Sequence, residues 1–596
     1  MTCRRFLYTI QKETEIITLF SPQTPWIRER EATLCTWKFD YDRGYVSNMS
    51  VSLLNDFMCL SDRQLENYAR MIKECGFTGI QVMDICAAWR ASGSYETVHD
   101  RFKTLSKACR SIGLKFTLWC WAAEFSGHGF TEPLAVYQNR INGEPAYRDP
   151  DVLAVFNKYY DIYADLAPYC DRVIAHFFDP GNLSDTESII YFLKLFRDKF
   201  RAKNPEIKIA VDTWGCPEGY PEALVAAGIG DIMLMELPFL PIWQAPGKRA
   251  GFREGVKKLG CGLGVWGWYT ADMEIDQLAS MTVNNRVLKH VFNTVRSQGD
   301  SVMTPSYWSE TDSYHILNYF SLYAAGHLLI NPDDDPDRLL YESALKLTGS
   351  PEAANALASV LALIRDARSG DTWDTYWWTS GQYVLRHSDY KTVIPRAENA
   401  LKTLEELAKK PEPKEDDAIS FPLERKKLYR LMIPHILQIK QFAEFCRDLD
   451  EVRKEAAEAT EKEPGDQKEK LQAMVDVLSP EIPEYNTVTG LWGQPEARQA
   501  FLLCEEFCKA NGLKPPERSA AVKFKFKRRF VDRLTVAQRG KSEKVVVTPA
   551  FYEGYLIGDK FADMIADELA EEGVLEKDGA GGFFLSNWQE FCLDFN

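Results

Sequence analysis

The sequence predicts a soluble (β/α)8 TIM barrel followed by a mainly helical domain and a small C-terminal α/β module. Three observations predict it. Short apolar runs recur between about residue 33 and residue 330, amphipathic segments of helical period lie between them, and the runs end in acids or flat aromatic residues.

The runs are Thr33–Trp37, Gly79–Asp84, Lys115–Trp121, Val173–Asp179, Ile207–Asp212, Asp231–Glu236, Leu263–Trp268 and Ser301–Tyr307. Each is apolar on both faces, as a strand between barrel interior and surrounding helices must be. Helices are expected between them. Ser61 opens one, with Gln64 three residues on as a capping box. Leu65, Tyr68, Ala69 and Ile72 form its apolar face, and Gly76 ends it. Val98, Phe102, Leu105, Cys109 and Ile112 repeat the pattern before Gly113, and Ile275 to Val295 marks a long helix ending near Gly299. A doubly wound open sheet is the structural alternative. It would carry a glycine-rich phosphate loop after the first strand, and Trp37-Lys38-Phe39-Asp40 is unlike one.

The barrel is thus expected over 31–330, after a short N-terminal β segment over 1–30. A helical domain over 331–450, a charged helix or linker over 451–480 and the small module over 481–596 complete the chain. In the module, Val522-Lys-Phe-Lys-Phe-Lys-Arg-Arg529 reads first as an edge strand with lysines facing water, and second as an anion-binding strip.

Composition narrows the function. A chain of 596 residues with 45% hydrophobic residues can bury large cores, and a formal net charge of −15 repels phosphate backbones. Nucleic acid is therefore not an expected partner. The 14 cysteines are scattered without a CxxC pair, so neither a zinc ribbon nor a redox dithiol is indicated, and buried free thiols are expected. With no signal-peptide pattern and no spanning apolar run, the expectation is a cytoplasmic protein without membrane contact. Homo-oligomerisation is left open.

Reacting groups of such barrels come from the C-terminal ends of the strands. Here those ends carry Asp84, Asp179, Asp212 and Glu236, with Trp37, Trp119, Trp121, Glu124, Trp214, Trp266, Trp268, Tyr307, Trp308 and Glu310 on or just beyond them. Breaking a glycosidic bond requires a proton for the leaving oxygen and a carboxylate that attacks the anomeric carbon or activates water. Sugars also lay their CH faces on indole rings, so acids beside tryptophans suit a carbohydrate substrate. Asp179, Glu236 and Asp212 are the catalytic candidates. The aromatic residues, Asp84, Glu124, Glu310 and His176 are candidates for binding. Bland alternatives stand beside them: Asp179 before Pro180 can cap a turn, Asp212 can open a helix, and His176 can be a hydrogen-bonded core histidine. The eight histidines show no HxH or HExxH spacing, so neither metal nor cofactor is expected.

This arrangement, with Tyr319-Phe-Ser-Leu-Tyr-Ala-Ala-Gly-His-Leu-Leu-Ile-Asn-Pro-Asp-Asp-Asp-Pro336 opening the helical region, resembles glycoside hydrolases of the α-glucuronidase and β-N-acetylhexosaminidase type over about residues 30 to 450. The resemblance implies a helical domain directly after the barrel and carboxylic acids after the middle strands. Asp179 is followed by Pro180 and Gly181 rather than a second acid, which departs from the acetamido-assisted pattern. The combined expectation is an exo-acting glycoside hydrolase. A lyase or isomerase acting on a sugar or sugar acid, and a catalytically silent carbohydrate-binding protein, are the alternatives.

Overall fold

In a computed structural model of the chain, the described residues are 24–35, 61–83, 95–122, 145–177, 186–213, 219–236, 246–267, 281–299, 303–310, 316–368, 389–414, 416–458, 464–478, 495–515, 531, 534, 538, 543–546 and 562–588. Parallel strands close into a barrel in sequence order: β1 (Glu29–Cys35), β2 (Gly79–Met83), β3 (Lys115–Trp121), β4 (Arg172–His176), β5 (Lys208–Asp212), β6 (Met233–Glu236), β7 (Leu263–Gly267) and β8 (Tyr307–Glu310). The last strand pairs with the first, Glu29 against Tyr307 through Ala32 against Glu310, so no sheet edge is left.

Two strands differ from the expected runs. β8 starts at Tyr307, where the apolar run was expected to end. Pro305 explains the shift, because a residue without an N–H cannot sit inside a centrally paired strand. β1 begins at Glu29 and carries Glu29, Arg30 and Glu31 before its apolar part. Glu29 and Glu31 escape an apolar scan because their partners lie on other strands, while Arg30 donates to the Gly76 and Ile27 carbonyls.

Between the strands run α1 (Asp62–Glu74), α2 (Tyr95–Ser111), α3 (Pro150–Ala164), α4 (Thr186–Lys203), α5 (Tyr220–Ala226), α6 (Pro246–Leu259) and α7 (Asn285–Gly299). α8 (Tyr319–Ile330) follows β8. The reciprocal capping box at Ser61 and Gln64 is present, and Gly76 sits at φ 90° just beyond α1. Nearby, α8 passes so close to the end of α1 that a Cβ on Gly326 would lie 1.9 Å from the Cys75 carbonyl oxygen. Only glycine permits that approach.

The barrel core continues without a break into α9 (Pro336–Thr348), α10 (Pro351–Arg368), α11 (Tyr390–Leu407) and the first half of α12 (Arg425–Glu458). The second half of α12 belongs to another core. There Phe445, Leu449 and Val452 meet Leu471 and Val475 of α13 (Pro464–Asp476) and Cys504 and Cys508 of α14 (Pro495–Asn511). A third, small core joins α15 (Ala562–Glu571) to the antiparallel pair β9 (Leu575–Lys577) and β10 (Phe583–Leu585). The basic strip over 522–529 lies outside the described residues. No helix among the described residues is long and apolar enough to cross a membrane.

The N-terminal end of the barrel interior is filled by a charged network. Glu31 accepts hydrogen bonds from Thr117 Oγ1 at 2.9 Å, Arg172 Nη1 at 3.1 Å and Tyr307 Oη at 2.6 Å. The Arg172 guanidinium also pairs with Glu29 and lies 4.0 Å from the Tyr307 ring centroid, while Lys208 Nζ reaches Glu29 at 2.9 Å. Burial pushes the Glu31 carboxyl above its usual range against the pull of Arg172, Tyr307 and Thr117. Burial likewise opposes the charge on Arg172, but Glu31 and Glu29 prevail and hold it raised.

Candidate active site at the C-terminal rim

The network at the bottom fixes which side chains point inward. Glu31, Thr117, Arg172 and Tyr307 come from β1, β3, β4 and β8 and meet one another, which is possible only across the barrel interior. Successive strand residues alternate faces, so Trp119 lies inward two residues beyond Thr117, and His176 lies inward four beyond Arg172. On β8 the same rule puts Ser309 inward, where it donates to Gln81 of β2, and turns Trp308 and Glu310 outward.

At the other end of the interior these inward positions gather into one cluster. The register of β4 with β5, Arg172 against Lys208 through Ala175 against Val211, brings His176 level with Asp212. His176 Nδ1 contacts Asp212 Oδ2, and each residue is only 1% exposed. Trp119 lies 4.8 Å from the His176 ring, and Trp266 of β7 meets the same ring edge-on at 5.5 Å. The two indoles are 5.9 Å apart. An imidazole and a carboxylate are therefore walled by two tryptophans from β3 and β7, inside the end of the barrel from which reacting groups project.

Backbone bonds hold this end of the sheet together beyond the regular ladder. Ala122 N–H donates to the His176 carbonyl at 2.8 Å, fixing β3 against β4 at the histidine. Thr213 donates to the Met235 carbonyl through both its N–H, at 2.9 Å, and its Oγ1, at 2.7 Å, which fixes β5 against β6 beside Asp212. Tyr160 of α3 donates to the Ala122 carbonyl at 2.5 Å from outside.

Glu236 is not brought into the cluster. Asp212 lies opposite Met235 in the β5–β6 register, so Met235 shares its inward face and Glu236 points out toward the helices. There Arg253 of α6 donates from Nε to Glu236 Oε1 at 2.6 Å, with both side chains buried. Trp308 and Glu310 are also directed outward. The Trp308 indole donates to Glu310 Oε2 at 2.8 Å and packs on Trp26 and on Phe292 of α7. Tyr307 is inward but belongs to the N-terminal network through Glu31. Of the expected site residues, then, Trp119, His176, Asp212 and Trp266 come together. Trp37, Asp84, Glu124, Asp179, Trp214, Trp268 and the Trp121 side chain lie outside the described residues.

The partnership of His176 with Asp212 was not drawn from the sequence, although a signal existed. Each residue ends its strand, and neighbouring parallel strands set such ends side by side. Arg253 left no such signal, since its spacing from Glu236 acquires meaning only after the helix folds back. Among the described residues, no three His, Cys, Asp or Glu side chains assemble into a metal-ligand set.

The fold and this cluster together define the class: a closed (β/α)8 barrel with an acid, an imidazole and indoles at its C-terminal end, continued by a helical domain. No protein family matches the sequence, and no curated protein matches it. Among solved structures the chain is similar to a GH138 enzyme targeting pectin rhamnogalacturonan II, with 10% identity, a TM-score of 0.44, and 85% of this chain and 80% of that one covered. It is similar to a family 89 glycoside hydrolase from Clostridium perfringens, with 12% identity, a TM-score of 0.41, and coverage of 86% of this chain and 59% of that one. A GH115 4-O-methyl-α-glucuronidase with specificity for decorated arabinogalactans is similar at 10% identity and a TM-score of 0.41, over 84% of this chain and 63% of that one.

Proposed function

We propose that the chain is an exo-acting glycoside hydrolase whose reaction takes place at the His176–Asp212 end of the barrel. The observation that carries the reading is the inward cluster of Trp119, His176, Asp212 and Trp266. Indole faces offer the apolar surface on which a pyranose ring rests. The carboxylate supplies the group that attacks the anomeric carbon or activates water. The contact of His176 Nδ1 with Asp212 Oδ2 sets the orientation of that carboxylate.

Asp212 thus takes the nucleophile or base role, and Asp179, three residues beyond His176 in the chain, is proposed as the proton donor. Glu236 is assigned a supporting role, because its carboxylate is engaged by Arg253 on the helix side of the sheet. An acid so deeply enclosed suits the end of a glycan better than its middle, which supports exo action.

The His176–Asp212 pair also favours a second reading. An imidazole oriented by a carboxylate is a general base, able to remove a proton from a sugar or sugar acid in a lyase or isomerase. One experiment separates the two. Chromogenic glycosides, glucuronides and N-acetylhexosaminides included, are screened, and the reaction with the best substrate is repeated in 18O-labelled water. Hydrolysis places one labelled oxygen in the products. A product formed without solvent oxygen rejects hydrolysis in favour of the second reading, and binding without any product across the panel rejects both.

A further inference from the structure

The stretch Met281–Asn284 leads into the start of α7. It has no regular structure, yet it is fully buried. Buried irregular backbone must find its hydrogen-bond partners outside a ladder, so the destination of each bond is informative. The Met281 N–H donates to His435 Nδ1 at 3.3 Å, and the Met281 carbonyl accepts from Arg368 Nη1 at 3.1 Å. The Asn284 N–H donates to Ser321 Oγ at 3.0 Å. Thus the two Met281 groups are answered by side chains from beyond the barrel, at the end of α10 and in the middle of α12.

Arg368 is the centre of that arrangement. Its Nε donates to Glu496 Oε1 at 2.6 Å and its Nη2 to Gln438 Oε1 at 2.9 Å, with Nη1 also 3.1 Å from His435 Nδ1. Arg368 and Glu496 side chains are both 0% exposed. Because His435 Nδ1 accepts from the Met281 amide, its proton sits on Nε2 and the ring is neutral. Burial first, and then the neighbouring guanidinium, hold its pKa well below the usual value. A fully buried ion pair is costly to form, and apolar residues in its place often serve stability equally well. What apolar residues lack is a donor for the Met281 carbonyl, which Arg368 Nη1 supplies.

The position of this centre matters for the rim. β7 ends at Gly267, directly after the inward Trp266, and Met281 begins the described stretch that leads into α7. Loops that follow barrel strands build the reacting face. We propose that Arg368 is a positioning residue: with Glu496 and His435 it fixes the backbone at Met281, at the entry to α7, so that the helical domain and α14 determine the geometry of the barrel's reacting end. The inference rests on the reading of that end as the site of glycoside hydrolysis.

The test uses the full chain with Glu496→Gln, and with Arg368→Met and Glu496→Leu together. Hydrogen exchange at the Met281 amide is compared with exchange in β3 and β4, and kcat/KM is measured on the best glycoside. A positioning role predicts exchange at Met281 at least about 10-fold faster with the strands unchanged. It also predicts kcat/KM lower by roughly 10- to 100-fold, since small displacements at a reacting site have effects of that size. These losses persist in the apolar double variant even where its midpoint of unfolding equals that of the wild type. Wild-type exchange at Met281, or faster exchange with wild-type kcat/KM, overturns the proposal. If the double variant does not fold, Glu496→Gln carries both measurements. A wild-type chain that turns over no glycoside rejects the hydrolase reading alone, and the exchange comparison then decides the role of Arg368.

Discussion

The two ends of one barrel interior hold buried charge in opposite ways. At the N-terminal end, Glu31 is surrounded by three donors from three strands, and Arg172 is shared between two carboxylates and a tyrosine face. At the C-terminal end, Asp212 meets the His176 imidazole, which lies between two indoles. A carboxylate held from several sides is a brace. A carboxylate set against an imidazole, beside flat apolar walls, is the arrangement proposed above to meet a substrate. The difference teaches that burial and charge alone do not distinguish the two ends; the kind of partner does.

The contrast can be broken most sharply by Asp212→Asn. We expect turnover to fall by about 1,000-fold or more, equivalent to roughly 4 kcal/mol of barrel-rim chemistry. Urea denaturation should show a far smaller change. Asp179→Asn should lose turnover on a similar scale, measured with a substrate whose leaving group needs protonation. A loss of folding in place of activity from Asp212→Asn would make the two ends equivalent.

Arg172→Met should do the reverse. It leaves Glu31 and Glu29 without their shared cation, and about 3–5 kcal/mol of stability should be lost in urea titrations. Its pH dependence has a defined sign. The folded-state pKa of Glu31 is already raised by burial, and removing Arg172 raises it further. The folded state then keeps a proton that the unfolded chain has released. Stability of this variant should therefore fall as pH rises through the interval between the ordinary carboxyl value and the raised one, with the penalty absent below that interval.

Glu236→Gln sharpens the comparison from the outer face. It leaves Arg253 buried against a neutral amide, so a stability loss of about 2 kcal/mol is expected, with kcat of the folded enzyme within a few-fold of wild type. A loss of turnover like that of Asp212→Asn would place Glu236 among the reacting groups. The smallest effect belongs to an exposed contact. Asp337 is bound by Arg286 at 2.7 Å and Arg365 at 3.0 Å, and the Arg286 hydrogen bond, opposed by burial, holds its carboxyl below the usual value. Asp337→Asn should cost under about 1 kcal/mol at pH 7. The cost should vanish as pH falls through the depressed pKa, because the wild-type carboxylate is then protonated as well.

Much of this was legible in the sequence because the signals are local. The run Lys115–Trp121 is one strand in the structure, and Ser61 and Gln64 form the cap their spacing predicts. Strand order follows from βα alternation, and the gathering of Trp119, His176, Asp212 and Trp266 at one end follows from their places at strand ends. The outward direction of Glu236 was not legible, for a physical reason. A strand end supplies both an inward and an outward position, and one residue of register decides which.

The sequence by itself determined the periodicities: short apolar strands, amphipathic helices with their caps, and acids spaced at the ends of the middle strands. Only the tertiary structure decided which acid faces the barrel interior and which faces a guanidinium. Closing the barrel sets the faces of all its strands at once, and partners such as Arg253 for Glu236, or Arg368 for Met281, come from helices whose docking no local pattern encodes.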